Sequence, residues 1–166
     1  MTANTEADRV RVVTWADRLA FASAAELSGL EFMRAMARGD IPVAPMMDLV
    51  GMRVISADPG EAVFRLTPAE FHCNPSWSVH GGVYATMLDS AAACAVHTTL
   101  PAGARFSTLD LSVRMLRPIR TDTGPVTATG TVVHSGRQIV LAEARLTDGT
   151  DRLLATASAN CFVSQP

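Results

Sequence analysis

The sequence predicts an α+β fold in which an antiparallel sheet of five to six strands wraps one long central helix, with an extra helix at the N-terminal side. Three observations carry this. Residues 82–99 are apolar on most of their circumference, the mark of a buried helix. Runs of strand-like alternation stand on both sides of that segment. Turn residues punctuate those runs at short intervals, so the strands connect as neighbours around a single helix.

The elements follow in chain order. Met1 to Thr14 reads as a leader with charges of both signs and no apolar stretch, which argues against a secretory signal. A helical pattern then runs from Asp17, an N-cap residue type, to Arg38, with Gly39 as its stop. Leu27, Leu30, Phe32 and Met33 mark its packing face. Ile41, Pro42 and Pro45 form a stiff connector, because proline fixes φ and cannot continue a helix. Residues 1–45 are thus expected to precede the main domain, 46–166.

Met52 to Ala57 and Ala62 to Thr67 read as a hairpin around Asp58-Pro59-Gly60. A loop from Phe71 to Val79 leads into the central helix, which Pro101 and Gly103 end. Ala85, Ala91, Ala92, Ala93 and Ala95 would let a sheet approach it closely. Thr108 to Leu116, Val126 to His134, Gln138 to Thr147 and Leu153 to Val163 follow as strands. In the first of these, Leu109, Leu111, Val113 and Met115 alternate with Thr108, Asp110, Ser112 and Arg114, the pattern of a sheet with one apolar face.

Composition narrows the function classes. The 166 residues and 48% hydrophobic content suit one domain with its own core. Fourteen Lys and Arg against sixteen Asp and Glu supply no basic field, so nucleic acid is not an expected partner. No apolar run is long enough to span a membrane. Cys73, Cys94 and Cys161 are odd in number and lack metal spacing, which fits a reducing, cytoplasmic setting. His72, His97 and His134 have no ligand spacing either, and no metal or separate cofactor is expected.

Two features carry chemistry. Asp89 lies inside the apolar helix, where an unpartnered carboxylate costs several kcal/mol, on the order given for buried charge. It is either an interface residue or a catalytic base or nucleophile. His80-Gly81-Gly82 stands at the helix start, where exposed N–H groups and the helix dipole would stabilise an oxygen gaining negative charge; a tight loop needing glycine is the plainer explanation. Eight positions at ~1.5 Å rise put Gly81 and Asp89 about 12 Å apart. Both can serve one carbonyl only if a second copy of the helix packs antiparallel, which makes a dimer part of the chemistry.

The strings Asn74-Pro75, Val79-His80-Gly81-Gly82, Ala85-Thr86-Met87-Leu88-Asp89-Ser90-Ala91, Ser107-Thr108-Leu109-Asp110-Leu111-Ser112-Val113 and Leu116-Arg117-Pro118, with a weaker match in Val133-His134-Ser135-Gly136-Arg137, resemble the PaaI-type hotdog thioesterases over about Met46 to Val163. The resemblance implies hydrolysis of an acyl-CoA or aryl-CoA thioester by a dimer or dimer of dimers, with coenzyme A as part of the substrate. It implies a carbonyl polarised by the Gly81 N–H and placed with help from Asn74. Asp89 of the facing subunit would activate water or attack, and Thr108, or Ser107 if the register slips, would hold that water. His80 is implied as a loop organiser. Gly82 and Tyr84 are further substrate-binding candidates, and Arg117 and Arg137 are candidates for gripping phosphate. Trp77 departs from the pattern, since a small residue, often glycine, is usual there; its indole would narrow or reshape the acyl pocket.

Two other functions fit the same fold. One is a non-catalytic acyl-CoA-binding or regulatory module in which Asp89 is an interface residue. The other is a hydratase, for which the expected strand-borne Asp and His are missing. A serine hydrolase is excluded by the lack of GxSxG.

Overall fold

A computed structural model describes residues 9–164; the rest of the leader and the last two residues lie outside it. The order is a 3-10 turn at Arg18–Ala24, helix α1 at Gly29–Arg38, α2 at Pro45–Val50, strands β1 at Met52–Asp58 and β2 at Glu61–Leu66, and a second 3-10 turn at Glu70–His72. Helix α3 spans Gly81–His97, and β3 (Arg105–Met115), β4 (Val126–Ser135), β5 (Ile139–Thr147) and β6 (Leu153–Ser164) complete the chain. The six strands form one antiparallel sheet in the order β1-β2-β4-β5-β6-β3.

Two N-terminal expectations need correction. The helix expected from Asp17 to Arg38 is broken. Asp17 caps only the 3-10 turn, accepting from the Leu19 N–H, and α1 begins at a new cap, Ser28. Ser28 and Glu31 form a capping box, each side chain accepting from the other's backbone N–H, and this competes with continuation through residues 25–28. Gly39 ends α1 at φ 81°, as its sequence position implied. The connector also carries a helix: Pro45 occupies the first turn of α2, where its missing N–H costs nothing.

The sheet lies against α3 across small residues. Ala91, Ala92 and Ala95 on the helix, and Ala128, Ala142, Ala155 and Ala159 on the strands, are fully buried. At Gly130 the approach becomes backbone on backbone, because a Cβ there would sit 2.0 Å from the Ala91 carbonyl oxygen. The far end of α3 is equally tight. A Cβ on Gly29 would lie 1.8 Å from the His97 carbonyl oxygen, and the Gly29 N–H donates to the Leu100 carbonyl. The His97 ring is packed between Phe32 of α1 and Phe106 of β3.

β3 is an edge strand, and its side chains do not keep the phase that strict alternation predicts. A bulge between Thr108 and Asp110 turns Leu109 out to solvent and brings Thr108 onto the helix side with Phe106, Leu111 and Val113. The same disruption exposes Ile55 in β1 and Val133 in β4, each at its own bulge. Leu109 therefore leaves the apolar face to which the alternation assigned it.

A buried histidine, His72, and a half-buried one, His97, give the fold an acid limit. His72 accepts the Ala69 N–H at Nδ1 and donates from Nε2 to the Val50 carbonyl, an arrangement that requires the neutral ring. Burial lowers the pKa of His72 and of His97 below 6.5. As pH falls through about 6.5, the unfolded chain takes up protons that the folded chain refuses, so stability present above that pH is lost below it. Urea midpoints should drop between pH 7.5 and 5.5, and His97→Gln should flatten part of that slope; a pH-independent midpoint would contradict the assignment.

Candidate active site

Two clefts flank β3, one beside its middle and one beyond its C-terminal end. The first, about 360 Å³, is lined by Ala85, Thr86 and Asp89 of α3 and by residues 108–111 of β3. Asp89 is half-buried, and its Oδ1 accepts a hydrogen bond from the Thr108 hydroxyl at 2.9 Å. Oδ2 has no hydrogen-bond partner among the described residues. The bulge makes this pair possible: with unbroken alternation Thr108 would share a face with Asp110 and point away from α3. Ser107, the alternative in register, is exposed on the opposite side.

Two thiols, Cys94 and Cys161, stand near Asp89. Burial, reinforced by the Asp89 charge, pushes the Cys94 thiol up to about 12. Cys161, directly across the sheet from Thr108, is raised by burial as well. Both shifts favour the protonated thiol. Asp110, a second carboxylate at this cleft, is held on the outer side by the Asn160 side-chain amide at 2.9 Å. The sequence reading did not single it out.

The second cleft, about 310 Å³, is lined by Asn74, Ser78, Val79, Gly81 and Tyr84 together with residues 115–118. His80 is the N-cap of α3, and its Nδ1 accepts the Gly82 N–H at 2.9 Å. That bond consumes the Gly82 donor and requires an unprotonated Nδ1. The Gly81 N–H, the first of the helix, has no acceptor among the described residues. One backbone donor is thereby left at the positive end of α3, inside the cleft.

Asn74 shapes the loop around it. Its Oδ1 accepts the Ser76 N–H at 2.9 Å and its Nδ2 donates to the Ser78 hydroxyl at 3.1 Å. Tyr84 is a buried strut, with its hydroxyl donating to the Arg117 carbonyl and accepting the Ile119 N–H at 2.6 Å. This ties the first turns of α3 to the segment that forms the opposite wall. Met115 stands over Gly81, its terminal methyl 2.9 Å from where a Cβ would be.

Not every candidate reaches a cleft. Trp77 is 59% exposed and lines neither one. It does adopt φ 57°, the left-handed region, so the loop conformation is one that glycine adopts without strain. Arg117 lines the second cleft, with one guanidinium nitrogen donating to the Leu153 carbonyl at 2.6 Å. Arg137 stands in the β4–β5 hairpin, away from both clefts. Met115 and Leu116 are wall residues that the sequence did not mark as part of a site.

Comparison with known proteins places this geometry in a family. A sequence model of the thioesterase superfamily matches residues 78–155. A protein of Halobacterium salinarum that carries an esterase name is 35% identical over 103 residues, covering 59% of this chain and 66% of its own length. The 1,4-dihydroxy-2-naphthoyl-CoA hydrolase of Listeria monocytogenes is 25% identical over 72% of this chain and 96% of its own. Among solved structures, a phenylacetic acid degradation-related protein of Ralstonia eutropha superposes with a TM-score of 0.70 at 30% identity, over 77% of this chain and 96% of that one. With the six-stranded sheet, the central helix and the glycine-led helix start in place, the chain belongs to the thioesterase superfamily, in its PaaI-type hotdog branch.

Proposed function

We propose that the protein hydrolyses an acyl- or aryl-CoA thioester to the free acid and coenzyme A, at sites shared between two copies of the chain. The observation that carries this reading is the division of labour between the clefts. One holds a carboxylate with a free oxygen, the other a free N–H at a helix start, and neither holds both. The name of the Listeria relative, a CoA hydrolase, supports the substrate class.

An antiparallel pairing joins the halves. The midpoint between Gly81 and Asp89 on α3 is Ala85, whose small side chain allows two helices to approach. The midpoint between residues 108–111 of β3 and residues 115–118 at and beyond its end lies near Val113. A two-fold axis passing these points would face the Asp89 cleft of one copy with the Gly81 cleft of the other. β3 is suited to such pairing, being an eleven-residue edge strand whose Leu109 and Met115 are exposed.

In the joint site, Asp89 Oδ2 removes a proton from water as the water oxygen attacks the thioester carbonyl carbon. Thr108, bonded to Oδ1, fixes the carboxylate and lies within the same cleft wall. Charge developing on the carbonyl oxygen is met by the Gly81 N–H of the second copy, with Asn74 of that copy beside it. Collapse of the tetrahedral intermediate breaks the C–S bond, and the departing thiolate takes the proton from Asp89. The carboxylate is regenerated.

Release of free thiol from a panel of acyl- and aryl-CoA substrates tests the reading; no release from any member would leave a binding module. Asp89→Asn should retain the fold and lower kcat by on the order of 10²–10⁴-fold. Gly81→Pro becomes a sharper probe when compared with Gly81→Ala, which adds the same Cβ beside Met115 but keeps the N–H. Proline is tolerated at the first helical position, and His80 already has the extended φ −62°, ψ 139° that a following proline requires. The variant should keep its helix content by circular dichroism while kcat falls by on the order of 10²–10³-fold. Undiminished turnover in it would remove the N–H from the mechanism.

A further inference from the structure

The wall formed by Arg117 and Pro118 has two sides. One faces the Gly81 cleft, and the other faces a third cleft of about 430 Å³, lined also by Arg120, Asp122, Thr123, Asp148 and Arg152. The two clefts are neighbours across a barrier two residues wide, at most about 7 Å of extended chain. The Tyr84 hydroxyl grips both edges of this strip, at the Arg117 carbonyl and the Ile119 N–H, and Ile119 is itself buried. The strip is therefore a fixed sill between them.

The third cleft carries three guanidinium groups and two carboxylates. Asp148 is consumed internally. It accepts from the Thr150 N–H and hydroxyl and from the Arg152 N–H, and pairs with Arg152 Nε at 3.0 Å. That contact orients Arg152 while leaving its two terminal nitrogens without partners among the described residues. Arg120 has no side-chain partner among them, and its backbone is set by a turn in which its N–H donates to the Thr123 hydroxyl. Arg117 spends one nitrogen on the Leu153 carbonyl. Asp122 is the only remaining carboxylate at the rim, so the cleft keeps an excess of cationic donors with fork geometry.

We infer that this cleft binds the phosphate-bearing nucleotide end of the coenzyme A carrier, with Arg120 and Arg152 as its anion contacts, while the flexible arm crosses the Arg117–Pro118 sill into the Gly81 cleft. The inference rests on the thioesterase reading for the direction of the arm. It assigns carrier recognition to the loop after β3 and the β5–β6 turn, and leaves Arg137 out. Carrier and acyl group are then read by different parts of the chain: the arginine cleft sees only the nucleotide, and the acyl group lies beyond the sill.

The test uses one acyl group carried either on coenzyme A or on pantetheine, which lacks the nucleotide and its phosphates. Arg120→Gln and Arg152→Gln should each raise KM for the CoA thioester by about tenfold with kcat little changed, since each removes a charge-assisted contact. KM for the pantetheine thioester should not move. Equal losses on both carriers, or no loss on either, would overturn the inference. Calorimetric binding of free coenzyme A separates it from the catalytic proposal. Binding that weakens about tenfold in Arg120→Gln, in a protein that hydrolyses neither carrier, would keep the cleft and sink the hydrolase; no measurable binding of coenzyme A to the wild type would sink the cleft.

Discussion

The contact between the α3 backbone and the sheet at Gly130 governs the rest of the structure. With no Cβ at that position and alanines on both surfaces, helix and sheet approach until backbone meets backbone, so α3 can neither rotate nor slide without a clash. Its two functional ends are thereby fixed. Asp89 faces β3 at mid-helix, and Gly81 opens toward the segment after β3. The rigidity that places each group well also keeps them apart, at about 12 Å along the axis. On the proposed mechanism a single copy is thus two incomplete sites.

Local devices then tune each half. The β3 bulge is one, because a single unpaired residue reverses the phase of the strand and delivers a hydroxyl to Asp89. The His80 cap is another. By taking the Gly82 N–H it leaves the Gly81 N–H without an acceptor among the described residues. Tyr84 couples the helix start to the opposite wall of its cleft, and the same bond network braces the sill beside the arginine cleft.

Much of the fold was legible because its determinants are local. The Asp58-Pro59-Gly60 turn, the apolar run of α3, the alternation in β4 to β6 and the Gly39 stop all act within a few residues. The errors arose where two local signals competed or where a distant contact decided. Leu27 and Leu30 keep helical spacing, yet the Ser28–Glu31 capping box restarts the helix between them. Pro45 reads as a breaker and serves as a first-turn residue. The bulge at Leu109 leaves no trace in alternation, and the motif match located Thr108 where periodicity placed it on the wrong face. For the site, Asp89 and His80-Gly81-Gly82 stood out by residue type and spacing, and Asn74 only through the family resemblance. Met115, Arg120 and Arg152 did not, because nothing in a surface methionine or arginine reveals which cleft the folded chain will bring it to.

The central claim is that one working site draws Asp89 from one copy and Gly81 from another. Mixing two inactive proteins, Asp89→Asn and Gly81→Pro, measures this directly after subunit exchange through mild denaturation and refolding. In a hybrid dimer one site carries both substitutions and the other carries neither. Random exchange makes half of the dimers hybrid, so about a quarter of wild-type thioesterase activity should return. If the mixture stays as inactive as its parents while light scattering and mass spectrometry show hybrids present, the shared site is contradicted, and Asp89 and Gly81 do not act on the same carbonyl.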